Sequence, residues 1–143
     1  MNQRGFATLD VILMVMVIGI LASIAVPRFT AVTTAANTSK IQADLSTIDT
    51  AIAIYILEKG TSPAPTIDTV KTYLQDGGNV KPPTGKCYIG GEEKDISETN
   101  YGVTLKGTEY RATLKIGSDD LTSGDFTKKA TNSGTTGGST QNP

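Results

Sequence analysis

The chain has 143 residues, 38% hydrophobic and 19% charged, with a net charge of −1, enough for one domain beside an apolar N-terminal segment. With no histidine, one cysteine and no run of basic residues, it excludes His-based triads, HExxH zinc sites, an intrachain disulfide and an electrostatic nucleic-acid binder. Neither a GxGxxG nor a GxxxxGK[ST] phosphate loop is present.

Residues 1–5 form a short leader whose one charge is Arg4. From Phe6 to Val26 the chain is apolar apart from Asp10 and a few small polar residues. As a helix these 21 residues span about 31 Å, the thickness of a bilayer core. Asp10 is expensive in such a run, so either it sits near the headgroups and stays hydrated or it marks a functional site that needs a partner. The positive-inside tendency places Arg4 in the cytosol and the C-terminus outside. Gly19 gives a weak point in the helix, and Pro27 is expected to interrupt the ladder and kink or locally melt it.

Residues 30–60 read as an amphipathic helix, with Ile41, Leu45, Ile48, Ile52 and Tyr55/Ile56 on one stripe and Lys40, Asp44, Thr47 and Glu58 off it. Gly60 is its expected C-cap. Asn37-Thr38-Ser39 fits the N-x-S/T pattern but falls within this helix. Thr66 is expected to cap a short helix to Leu74, with Val70, Tyr73 and Leu74 inward and Asp76-Gly77-Gly78 as its stop.

Residues 61–117 then read as a small sheet domain with a thin core. A short strand is expected at 87–89 and an exposed polar loop over 90–99. Alternation predicts strands at 101–105 and 110–116, joined through Lys106-Gly107-Thr108-Glu109. From Ser118 to Pro143 the pattern is lost, and the segment reads as a polar, low-complexity tail that is disordered or draped on the surface. Cys87 reads as a small strand residue, not a nucleophile.

The order basic residue, Gly5, Phe6, Thr8-Leu9-Asp10, apolar run, Gly19 and Pro27 resembles the N-terminal signature of type IV pilins and type II secretion pseudopilins. The resemblance covers residues 4–29. It implies cleavage between Gly5 and Phe6 by a prepilin peptidase, N-methylation of Phe6, and packing of the apolar helices into a filament core. It also implies a hinge between Gly19 and Pro27. Asp10, one methylene shorter, stands where the family carries glutamate, and Phe6-Ala7-Thr8 replaces the commoner Phe-Thr order.

The implied fold is α+β: a long N-terminal helix, half membrane or filament core and half amphipathic, packed on a small antiparallel sheet. Asp10 would pair with the Phe6 amine of its own or a neighbouring subunit. The implied partners are copies of the chain itself, the prepilin peptidase, an inner-membrane platform protein, an assembly ATPase and minor pilins. The implied location is the cell membrane for the precursor and the cell surface for the filament.

The polar tail suits a solvent-facing surface and favours a pilus subunit over a secretion or competence pseudopilin. Asp119, Asp120 and Asp125 lie where major pseudopilins hold calcium, but their spacing is not that of an EF-hand, and no metal or cofactor is expected. Two rivals compete on pattern: a secretory signal peptide cut after Ser23-Ile24-Ala25, and a plain signal anchor carrying a binding domain. The charge inside the apolar region and the helical pattern beyond Pro27 weigh against the first.

Overall fold

In the computed structural model, which describes residues 3–75 and 79–128, one helix dominates. Helix α1 runs from Gln3 to Lys59, 57 residues or about 85 Å. Pro27 lies inside it and the helix continues on both sides. Proline removes one ladder N–H, leaving the Ser23 carbonyl without its usual partner. The expected local melting does not occur in this structure, where proline costs a single ladder bond and the helix continues on both sides.

The second half of α1 carries the core. Ile41, Leu45, Ile48, Ile52 and Tyr55 are buried and Ile56 is half-buried, so the apolar stripe points where its periodicity placed it. Gly60 ends the helix at φ 78°, its N–H donating to the Ile56 carbonyl at 2.8 Å. Helix α2, Ile67–Lys71, is shorter than expected. Thr66 caps it, accepting from the Thr69 N–H; Val70 within it and Leu74 beyond it are buried, and Tyr73 is half-buried. The stop expected at residues 76–78 lies outside the described residues.

Among the described residues, five short strands complete the domain. Strands β1 (Gly85–Ile89) and β2 (Glu92–Ile96) form one antiparallel hairpin. Strands β3 (Gly102–Lys106), β4 (Glu109–Ile116) and β5 (Asp119–Leu121) form a second antiparallel sheet in the order β3-β4-β5. Both sheets pack on α1. The β3–β4 turn falls at Gly107-Thr108, within the expected connection. Ala112, Thr113 and Leu114 are buried in succession, so both faces of β4 are covered at its middle.

Two expectations are corrected. Residues 92–96, read as loop, form β2. Its Glu-Glu-Lys-Asp composition hides it, but Gly90-Gly91, at φ 56° and 93°, supplies the two left-handed residues of a tight hairpin. Three of its charges are paired, Glu92 with Lys94 within the strand and Glu93 with Lys86 across to β1. An exposed edge strand of this kind is held by pairing and not by burial.

The fold also extends past Ser118. Strand β5 and a 3₁₀ turn at Ser123–Asp125 lead to Phe126, which is completely buried. The carbonyls of Asp125 and Thr127 accept from the N–H groups of Gly90 and Gly91, which ties this segment to the β1–β2 turn. The expected tail therefore shortens to the residues beyond Lys128, which lie outside the described residues. Phe126→Ala should destabilise the folded chain by about 3–5 kcal/mol. Chemical denaturation of the detergent-solubilised protein, followed by tyrosine fluorescence, would measure it.

Candidate assembly surface

From Gly5 to Thr33 every residue of α1 is exposed, and the first buried residue is Thr34. Sixteen large apolar side chains stand on this uncovered segment, from Phe6, 83% exposed, to Val32. A Cβ added at Gly5 or Gly19 would meet nothing. The two side-chain hydroxyls nearest Pro27 are satisfied within the helix, Ser23 donating to the Ile20 carbonyl and Thr30 to the Val26 carbonyl. What remains is an apolar rod carrying the exposed carboxylate of Asp10 and, at its far end, Arg28.

The residues singled out in the sequence are thus on one helix but not gathered at one point. Gly5, Phe6 and Asp10 lie on its first turns, and Gly19 and Pro27 follow about 14 and 26 Å beyond Asp10. No cluster of three or more acidic or cysteine side chains occurs among the described residues. Asp125, one of the three C-terminal aspartates, instead accepts from the N–H and hydroxyl of Thr122.

At Thr34 the helix enters the domain, and a row of polar side chains fixes it there. Asn37 donates to the carbonyls of Thr84 and Lys86 at 3.0 and 2.9 Å, so its amide is engaged by the fold. The Thr38 hydroxyl accepts from the Tyr88 N–H at 2.8 Å, and Gln42 donates to the Phe126 carbonyl. Asp44 accepts from Lys40 and from the Tyr101 hydroxyl, the latter at 2.7 Å. Asp49 accepts from the Ala112 N–H at 2.7 Å and from the Arg111 guanidinium at 3.0 Å.

Sequence reading missed these anchors, since each looks like an ordinary polar position beside the stripe. One clue was present: short carboxylates at 44 and 49 and an amide at 37 border the apolar stripe, where a side chain reaches a partner's backbone.

Two groups in the core are held in their neutral forms. Burial pushes the Cys87 thiol from its ordinary 9.0 up to about 11. Burial, then the hydrogen bond to Asp44 and its charge, raises the Tyr101 phenol as well. An open groove of about 610 Å³ lies between the end of α1 and the β3–β4 turn, lined by Ile52, Ile56, Leu57 and Tyr110, with the Asp49–Arg111 pair at its polar end.

A long N-terminal helix, bare and apolar in its first half and clamped under small antiparallel sheets in its second, is consistent with the α+β fold of pilins. The comparison with curated proteins agrees. Over 71 residues the chain is 37% identical to the type IV narrow pilus major component PilA5 of Thermus thermophilus, a match covering 49% of this chain and 59% of that protein. The chain thus spans less than two thirds of the relative's length, and the similarity is to a type IV pilin. No family model matches the sequence, and no solved structure matches it.

Asp49→Ala should cost about 1–3 kcal/mol by stranding the Ala112 N–H, measured by denaturant titration. The raised thiol and phenol make a second prediction. Both groups bind protons more tightly when folded: the thiol's contribution is full below pH about 9 and is lost as the pH rises towards 11, and the phenol's starts to fall only above its ordinary 10.0. The thermal midpoint should therefore fall steadily over that range, and at pH 8 a thiol reagent should label Cys87 only after unfolding.

Proposed function

We propose that this chain is a pilin: a structural subunit made as a single-pass membrane precursor and polymerised through α1 into a type IV pilus. The uncovered apolar segment carries the reading. Sixteen exposed large apolar side chains, at about 1.5–3 kcal/mol each, amount to tens of kcal/mol of unfavourable hydration. That free energy is released only when the rod leaves water, so it drives transfer into lipid or against other apolar helices. Lipid relieves this cost before assembly, and a bundle of identical helices relieves it afterwards. The pilus role named for the Thermus thermophilus relative favours a pilus subunit over a secretion or competence pseudopilin.

In this reading residues 1–5 are the leader, removed between Gly5 and Phe6 by a prepilin peptidase that also methylates the new Phe6 amine. Residues 6–29 form the membrane or filament-core segment, and residues 30–60 join it to the outer domain. Asp10 accepts a neighbour's Phe6 amine, which cancels a carboxylate that apolar surroundings would otherwise penalise. The Gly19–Pro27 interval, with one ladder bond missing, is where the helix can extend on entering the filament. A platform protein, an assembly ATPase and minor pilins serve assembly, and no catalytic step is assigned to this chain.

Intact mass and N-terminal sequencing of sheared surface material test the proposal. A chain starting at methylated Phe6 in filaments is expected, whereas an intact Met1 confined to membranes, or a soluble chain starting at Val26, overturns it. Asp10→Ala should abolish filaments and Asp10→Glu should retain them, as scored by electron microscopy.

A further inference from the structure

The two charges of the uncovered segment stand in register with one another. Between Phe6 and Ser39 the chain carries only Asp10 and Arg28, 18 residues apart. Helix α1 is unbroken between them, and at about 3.6 residues per turn this spacing makes about five whole turns. Asp10 and Arg28 therefore project from the same side of the rod, separated by about 27 Å along its axis. Both are exposed, and neither takes part in an ion pair among the described residues. The unbroken helix keeps them apart within one chain, so only another chain can join them.

We propose that the occupant of this face is a second copy of the same helix, parallel and displaced by about five turns, with Asp10 of one subunit against Arg28 of the other. This rests on the filament reading above and adds to it an axial offset and a second partner for Asp10. The copies run parallel because each domain begins at Thr34, at the same end of the rod, and membrane insertion orients all copies alike. An antiparallel pair would match both charges at once but would put the two domains on opposite sides of the membrane.

The parallel contact is heterologous. It leaves an unmatched Arg28 at one end and an unmatched Asp10 at the other, so it does not close and every added subunit presents the same pair again.

Charge selects this offset where packing cannot. The intervening Val, Ile, Leu and Met side chains are close to interchangeable and would interdigitate at many displacements. A lone carboxylate or guanidinium against apolar neighbours is penalised at every displacement except the one that pairs them. Arginine presents a planar fork of donors that a carboxylate accepts in bidentate fashion. A carboxylate has further lone pairs, so Asp10 can accept the Phe6 amine of one neighbour and the Arg28 guanidinium of another.

Disulfide cross-linking of intact filaments tests the offset. Met14 and Val32 lie on the same face, one turn beyond Asp10 and Arg28, and the same spacing separates them. They are too far apart to join within a chain. In the full chain carrying Met14→Cys and Val32→Cys, with buried Cys87 left in place, oxidation should give a ladder of covalent multimers on a non-reducing gel. Either single substitution should give dimers at most.

Filaments that assemble but yield no ladder overturn the offset and leave the filament reading intact. Failure of the unmodified chain to form filaments overturns both. Independently, Arg28→Lys should retain filaments, and Arg28→Glu should lower their surface yield about tenfold or more, with membrane precursor unchanged. Loss of this outer positive charge does not oppose correct insertion, so orientation cannot explain the defect. Full filament yield from Arg28→Glu overturns the pairing.

Discussion

Between Gly5 and Thr33 a rod of apolar helix leaves the domain with no cover from its own chain, and the hydration of that surface is the constraint on which the rest depends. Folding of the domain does nothing to remove this surface from water, so its burial has to come from outside the domain. In the pilin reading proposed above, the segment exchanges one apolar environment for another, lipid for neighbouring helices. The other half of α1 must hold its fold without help from this segment. That explains why the core is concentrated on a single stripe, Ile41 to Tyr55, capped by two small sheets.

A rod that passes from one environment to another needs a firm joint with its domain. The polar side chains from Asn37 to Asp49 make it. Four of them, Asn37, Thr38, Gln42 and Asp49, bond backbone groups of the sheets or of the segment after β5. Backbone partners hold position more firmly than flexible side chains do, and most of these bonds are partly shielded from water. Displacement of α1 in a filament would consequently carry the outer domain with it. The buried Thr34 and Thr38 return their hydroxyl protons to carbonyls one turn back, so the helix enters the domain with no unsatisfied buried side-chain group among the described residues.

Much of this was legible in the sequence because it depends on local spacing. The stripe on α1, the Gly60 cap, the Thr66 cap and the β3–β4 hairpin each follow from a period or a turn residue, and each stands where it was expected. Strand β2 was not legible, because Glu92-Glu93-Lys94-Asp95 has no apolar face and becomes a strand only by pairing with β1. Phe126 was hidden for a related reason: a lone aromatic in a polar run has no period, and only the space left beside Gln42 and the β1–β2 turn gives it a place. At Pro27 the expected local melting is absent, and the helix continues on both sides.

The sequence by itself determined the length and charge of the apolar segment, the single core stripe, and the positions of Asp10 and Arg28, because these depend only on residue type and helical repeat. Tertiary structure alone decided that cover begins at Thr34, that Asp44 and Asp49 face inward as anchors, and that the chain folds on through β5 to Phe126. Each of those outcomes needs a partner tens of residues away, whose arrival changes what a polar or isolated side chain can bond. No local pattern carries that information.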